Sequence, residues 1–344
     1  MQVTVVGAGA IGGTVGAHLV RAGHVVTFCD TVVAHVAAIN QHGLTIRSWA
    51  EEFTIYPAAV QPDDLHAPLG LVLLAVKAQH TAQAMQMIAP LLAADGVVVS
   101  LQNGLNEQVI AAAVGAERTV GCLVNFSADY LEPGVIHYGG PGTIKVGELD
   151  GRITPRLEQL RDLLAAMGAV EMTSNIWGYM WGKLGYGNML YATALADASM
   201  ADVIDRYRPL MVELAAEIYE VAERVSVRPE PFDGVEPALY YPRVERDWAA
   251  IQRSLDALVA RRRRDQKQRS GIWRDLMVRR RGTEVGDHLG PIICHADTLG
   301  LALPLTRRVA QLIGDLEAGR AMPAWEHLDA LEALRCSEPQ IGRG

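Results

Sequence analysis

Val3-Thr4-Val5-Val6 runs without interruption into Gly7-Ala8-Gly9-Ala10-Ile11-Gly12, a β-branched strand that ends on G-x-G-x-x-G and opens a helix. Each glycine has its own reason to be there. Gly7 permits the tight turn, Gly9 lets the backbone meet a phosphate without a Cβ in the way, and Gly12 lets the helix lie close to the strand. The N–H groups around Ala10 and Ile11 and the positive end of the helix dipole then face an anion, so the turn is a candidate pyrophosphate cradle. The helical stretch to Arg21 stops at Gly23, and a second strand, Val25-Val26-Thr27-Phe28-Cys29, ends on Asp30. An acid about 20 residues after the first glycine, at a strand's C-terminal end, suits the 2′-hydroxyl of an adenosine ribose. The plainer alternative is a doubly wound domain without a ligand, with Asp30 as a helix N-cap.

The strand-then-helix rhythm continues and predicts a parallel sheet. Leu71-Val72-Leu73-Leu74-Ala75-Val76 ends at Lys77, and Gly96-Val97-Val98-Val99-Ser100-Leu101 ends at Gln102-Asn103-Gly104. Ligands of open parallel sheets bind at the carboxyl ends of the strands, which puts Lys77 and Asn103 on the edge of Gly7 and Asp30. Thr119 to Asn125, Gly134 to Tyr138 and Thr143 to Val146 read as further strands that extend this sheet antiparallel. Beyond about Met172 the texture is helical, with apolar periodicity in Trp177 to Ala194, Arg208 to Val225, Trp248 to Val259 and Pro291 to Leu299. The expected division is 1–170 for a dinucleotide-binding domain, 171–335 for a helical substrate and dimerisation domain, and 336–344 for a tail.

Composition restricts the function classes. With 344 residues, half of them hydrophobic and a fifth charged, the chain has material for two ordinary cores. A net charge of −8 argues against nucleic acid as the main partner. The N-terminus is already the first strand and no apolar run reaches membrane-span length, so a cytoplasmic enzyme without membrane association is expected. Cys29, Cys122, Cys294 and Cys336 match no metal spacing and read as reduced, mostly buried thiols; Cys294-His295 alone makes no zinc site, and no metal is expected.

Gly7-Ala8-Gly9-Ala10-Ile11-Gly12, Ala75-Val76-Lys77, Leu101-Gln102-Asn103-Gly104, Trp181-Gly182-Lys183 and Arg281-Gly282-Thr283-Glu284 together resemble, in order and spacing, the ketopantoate reductase family, from Met1 to about Leu316. The resemblance implies an α/β fold, with an N-terminal Rossmann-type doubly wound sheet followed by an all-helical C-terminal domain. It also implies NAD(P)H-dependent reduction of a small 2-keto acid, a place in pantothenate biosynthesis, and a homodimer by analogy. Residue by residue, Lys183 matches the general acid and Glu284 the carboxylate near the ribose and the reacting centre. Asn103 matches the residue at the nicotinamide ribose and substrate, and Lys77 a cofactor lysine at the adenosine end. The chemistry agrees, because hydride addition to a ketone leaves an oxyanion that needs a positioned proton donor. Taken without the family, Lys183 is a snorkelling surface lysine, Glu284 pairs with Arg279-Arg280-Arg281, and Asn103-Gly104 is a turn.

Four departures bear on the substrate. Asp30-Thr31 stands where NADPH-using members place an arginine, which predicts NADH preference, although Lys77 remains within the family's reach of a 2′-phosphate. The asparagine expected one turn after the lysine is replaced by Gly187, with Asn188 one residue later, about 100° round the helix. Ser270 is a candidate for a substrate carboxylate or hydroxyl contact, with a helix N-cap as its rival. The extra length between Arg228 and Gln268, including Arg261-Arg262-Arg263-Arg264, is either a solvated helix or a lid over an acidic substrate. The expected function is therefore ketopantoate-reductase-like. The alternatives are an NAD-preferring D-2-hydroxyacid dehydrogenase with another substrate, and a non-catalytic dinucleotide sensor.

Overall fold

The first strand-helix-strand unit forms where the glycines allow it. In the computed structural model, which describes residues 1–265 and 267–337, β1 (Gln2–Val6) turns into α1 (Ala10–Arg21) and returns as β2 (Val25–Cys29). There follow α2 (Val33–His42), β3 (Leu44–Arg47), β4 (Glu52–Ile55), β5 (Ala58–Val60), β6 (Leu69–Leu74), α3 (Thr81–Ile88), β7 (Leu92–Ser100) and α4 (Asn106–Val114). The unit is completed by β8 (Thr119–Asn125), β9 (Ala128–Glu132), β10 (Val135–Tyr138), β11 (Thr143–Glu148), α5 (Pro155–Leu164) and β12 (Val170–Met172).

An eight-stranded sheet runs in the order β12-β11-β8-β7-β6-β1-β2-β5. β1 lies parallel to both neighbours, with Val5 opposite Phe28 on β2 and Leu73 on β6. Parallel strands are covered on both faces, which is why Val72, Leu73, Leu74, Val98 and Val99 are all fully buried and read as continuous apolar runs. β11 returns antiparallel on β8, as the sequence predicts.

The expectation for Gly134 to Tyr138 needs correction. β10 leaves the main sheet and joins β3, β4 and β9 in a second sheet of order β4-β3-β10-β9. The reason is α1: a Cβ on Gly13 would lie 2.3 Å from Ile136 of β10, and one on Gly16 would lie 2.4 Å from Phe28 of β2. Small residues on two sides of α1 let it serve both sheets, a partner relation that no local periodicity carries.

By its contacts the chain divides between Ile176 and Trp177, six residues past position 170, because β12 still pairs with β11. From Trp177 onward every long element is a helix. α6 (Ile176–Thr193), α7 (Met200–Arg206), α8 (Arg208–Arg224), α9 (Pro237–Tyr240) and α10 (Trp248–Arg264) precede α11 (Gly271–Met277), α12 (Val285–Leu299), α13 (Pro304–Glu317) and α14 (Trp325–Ser337). α8 is buried on most of its circumference: Leu210, Met211, Leu214, Ala215, Ile218 and Val221 are fully buried, so it is the central helix of this unit. The expected tail at 336–344 starts inside α14, and 338–344 lie outside the described residues. Among the described residues no helix is long and apolar enough to cross a membrane.

Candidate active site

In the first unit, Gly7, Asp30, Lys77 and Asn103 follow β1, β2, β6 and β7, all parallel, and so stand along one edge of the sheet. Gly7 has φ +92°, and a Cβ there would lie 2.8 Å from the Ala75 carbonyl carbon and the Val76 nitrogen. A Cβ on Gly12 would fall 2.0 Å from the Gly7 oxygen. One on Gly9, by contrast, would meet nothing within 4 Å. Two glycines are thus demanded by the chain's own packing, and the third leaves the backbone open at the start of α1, where N–H groups lack helical partners. Together with Ala10 and Ile11, the first residues of α1, the turn fits the pyrophosphate of a dinucleotide.

Asp30 is built into this turn. Its Oδ2 accepts the Ala8 N–H at 2.8 Å and its Oδ1 accepts the Val32 N–H at 2.9 Å, so the carboxylate is oriented by backbone on both sides. His35 holds the same residue from the other direction. Its Nε2 donates to the Ala8 oxygen at 2.8 Å, while its Nδ1 accepts the Gly134 N–H at 2.9 Å. Those two bonds specify one neutral tautomer and tie the turn to the β9–β10 hairpin. Sequence reasoning missed His35, because a histidine in an ordinary helix carries no pattern that shows what it meets.

A second set of bonds supports Lys77 and Asn103. The Gln102 side-chain amide donates to the Val76 oxygen at 2.9 Å and to the Thr81 hydroxyl at 2.7 Å. The Thr81 hydroxyl donates to Asn106 Oδ1 at 2.8 Å, and Asn106 Nδ2 donates to the Asn103 oxygen at 2.6 Å. The backbones beside Lys77 and Asn103 are thereby coupled, while the Asn103 side chain stays exposed and Lys77 half-buried. Gln102 lies inside a motif quoted above; its place directly after a buried strand was the available signal.

In the helical unit, Lys183 is half-buried on α6. The surrounding glycines differ in purpose. A Cβ on Gly182 would lie 2.4 Å from the Glu230 oxygen, and one on Gly185 would lie 2.3 Å from the Tyr219 ring, whereas one on Gly187 would meet nothing within 4 Å. Gly187 is one turn from Lys183 and on its face of the helix. Asn188 is turned away from that face. It is fully buried, and its Nδ2 donates to the Leu214 oxygen and to the Thr306 hydroxyl, both at 2.9 Å. The substrate contact expected of Asn188 is therefore corrected to a core anchor joining α6, α8 and α13, since α6 continues as helix through the glycines and keeps the 100° offset.

Glu284 occupies the N-cap position of α12 without a side-chain capping bond, and its side chain is 16% exposed. Of the arginines that precede it, Arg279 and Arg281 both reach Asp275, each with a 3.0 Å bond. Glu284 Oε1 lies 3.8 Å from His288 Nε2, one turn along α12. A carboxylate at a helix N-terminus is favoured by the unsatisfied N–H groups there.

Other expectations change as well. Ser270 is buried and its Oγ accepts the Trp273 N–H at 3.2 Å, so it is the N-cap of α11 rather than a free contact. Of the two readings of the extra length, helix or lid, the arginine run lies on a helix docked within its own unit: Ile251, Leu255, Leu258 and Val259 of α10 are buried. The arginine run is engaged within the unit, Arg261 with the Asp233 oxygen, Arg262 with the Tyr186 hydroxyl at 2.8 Å, and Arg263 with Asp205 at 2.7 Å. Cys29 and Cys122 are buried, but Cys294 and Cys336 are exposed. Among the described residues no group of three or more His, Cys, Asp or Glu could hold a metal ion.

Both halves of the chain match family models, residues 3–151 that of ketopantoate reductase PanE/ApbA and residues 175–317 that of its C-terminal domain. The chain is 27% identical to a 2-dehydropantoate 2-reductase of Archaeoglobus fulgidus over 324 residues, covering 92% of this chain and 98% of that protein. It is 28% identical to one of Mesorhizobium japonicum over 257 residues, 66% of this chain and 78% of the relative. Among solved structures, a PanE/ApbA family ketopantoate reductase from Ralstonia eutropha JMP134 superposes with a TM-score of 0.78 at 25% identity over 93% of this chain and 99% of the other. A D-mandelate dehydrogenase solved with NADH and anilino(oxo)acetate gives the same TM-score at 21% identity, over 93% and 99%, and shows the shared fold. Two consecutive matched domains, a glycine turn that fits a dinucleotide and the helical unit that follows it lead to one conclusion: this chain belongs to the ketopantoate reductase family and is a nicotinamide-dinucleotide-dependent oxidoreductase.

Proposed function

We propose that this enzyme reduces the C2 carbonyl of a small 2-keto acid, with Lys183 as general acid and NADH preferred over NADPH. The bound dinucleotide supplies the hydride. Gly7, Gly9, Ala10, Ile11 and Gly12 hold the pyrophosphate, Asp30 accepts from the adenosine ribose hydroxyls, Lys77 supports the adenosine end, and Asn103 holds the nicotinamide ribose and the substrate. Lys183 gives its proton to the developing alkoxide in reduction and takes it back in oxidation. Glu284 orients Lys183 or the ribose. We place the enzyme in the cytoplasm as a homodimer.

The observation that carries the cofactor preference is the orientation of Asp30. Its carboxylate is pinned by Ala8 and Val32 N–H groups, so it cannot swing away from a 2′-phosphate, and a fixed negative charge there is repulsive. The test is steady-state oxidation of NADH and NADPH with ketopantoate and a panel of other 2-keto acids. Preferred NADH turnover that Asp30→Ala weakens much more than NADPH turnover is expected; equal losses would remove Asp30 from ribose recognition.

Gly187 favours a second reading of substrate. The space beside it suits a bulkier side chain than pantoate's, as in a D-2-hydroxyacid dehydrogenase, and the D-mandelate dehydrogenase of similar fold was solved with NADH. Weak ketopantoate turnover beside strong turnover of a larger acid would select this reading. Tight NADH binding with no turnover on any acid would instead select a non-catalytic sensor.

A further inference from the structure

Lys183, Gly187 and Tyr191 recur at every fourth residue of α6 and so line one face. Tyr191 is 3% exposed, and its hydroxyl lies 3.0 Å from Nδ1 of His288, which is 8% exposed. The other nitrogen of that ring, Nε2, faces Oε1 of Glu284 at 3.8 Å. Three side chains from two helices therefore form a line that ends on the carboxylate assigned above to the reaction.

We propose that Tyr191 and His288 are positioning residues for Glu284: the tyrosine hydroxyl donates to Nδ1, which leaves the proton of the neutral ring on Nε2, facing the carboxylate. The opposite order would set the Nε2 lone pair against a negative charge. Burial and the charges of Glu284, Glu317, Asp287 and Asp275 push the Tyr191 hydroxyl well above its ordinary value, so it retains the proton it donates. At 3.8 Å the contact with Glu284 exceeds a normal hydrogen bond, so it acts as an oriented dipole that holds the carboxylate rather than as a rigid clamp.

The inference rests on the reading that Glu284 serves the reaction, and the test separates the two. Long-range 1H–15N spectra of the labelled enzyme, recorded without substrate, should show His288 as the Nε2–H tautomer; an Nδ1–H ring would overturn the proposed order of bonds. In turnover, Tyr191→Phe and His288→Leu should each lower kcat roughly tenfold at unchanged KM for NADH, and His288→Gln, which keeps an N–H, should recover most of it. In a Glu284→Gln background His288→Leu should cost nothing further, because its effect passes through that carboxylate. Additive losses, or a fall in Tm with kcat unchanged, would make the line structural and sink the inference. A slow Glu284→Gln enzyme beside a normal His288→Leu enzyme would overturn the inference alone. A fully active Glu284→Gln enzyme would overturn the role of Glu284 and the inference with it.

Discussion

The nucleotide turn and the middle of α6 each contain three glycines, and the two sets divide in the same way. Gly7 and Gly12 are compelled by the backbone of Ala75, Val76 and Gly7 itself, while Gly9 faces open space. Gly182 and Gly185 are compelled by the Glu230 oxygen and the Tyr219 ring, while Gly187 faces open space. The difference lies in the setting. At a strand-helix turn, glycine is the residue the backbone requires, whereas inside a helix each glycine costs about 1 kcal/mol relative to alanine and needs a tertiary reason. The Tyr219 ring supplies that reason for Gly185 and the Glu230 oxygen for Gly182. Gly187 has no such tenant, which is why the space beside it is read as room for substrate.

The sharpest separation of the two regions is Lys183→Ala. If α6 carries the proton transfer and the turn carries the cofactor, kcat should fall by roughly 10²–10⁴ while NADH affinity, read by fluorescence titration, stays the same. Unchanged turnover would take the chemistry away from α6. Gly12→Ala should do the converse. Its Cβ meets backbone at 2.0 Å and cannot be relieved by a side-chain rotation, so a destabilisation above about 3 kcal/mol and loss of NADH binding are expected in thermal unfolding and titration.

Two buried carboxylates extend the comparison to pH. Burial pushes Glu107, at the start of α4, up to about 7 against its own N–H and the Ser100 hydroxyl. Burial likewise pushes Glu217, on α8, up to about 7 although it accepts the Leu305 and Thr306 N–H groups at 3.0 and 2.7 Å. An acid raised in the folded state binds its proton more tightly there than in the unfolded chain. Its stabilising contribution is complete below about pH 4.5 and is lost as pH rises through about 7. Glu107→Gln should therefore raise stability at pH 8 by on the order of 3 kcal/mol and leave it nearly unchanged at pH 4.5. The same gain at both pH values would show that Glu107 does not titrate. Glu217→Gln should not stabilise at pH 8, because its carboxylate also caps α13.

The smallest effects test the glycines of α6 directly. Gly185→Ala should cost about 1–3 kcal/mol by overpacking against Tyr219, while Gly187→Ala should gain about 1 kcal/mol in Tm measurements. If Gly187→Ala destabilises to the same extent, the open space beside it is not there, and the parallel with Gly9 fails.

Much of the first unit was legible because its signals are local. Glycines at a strand-helix turn, continuous apolar strands and an acid at a strand end each point to one arrangement, and the five motifs in register extended that to the family. Lys183 and Glu284 were singled out by the family resemblance of their motifs, and α8 by its periodic apolar face. What only the tertiary structure decided involves residues whose partners are far away in sequence. β10 left the main sheet because small residues on α1 admit a second sheet; Asn188 became an anchor because α6 stays regular through its glycines; the arginine run found Asp233, Tyr186 and Asp205 as partners within its own unit. His35, bridging Ala8 and Gly134, and the Tyr191–His288–Glu284 line have the same origin. A periodic pattern records which face of an element is buried, but the identity of the group that a polar side chain meets there is set by packing between elements, and that is not written in either element alone.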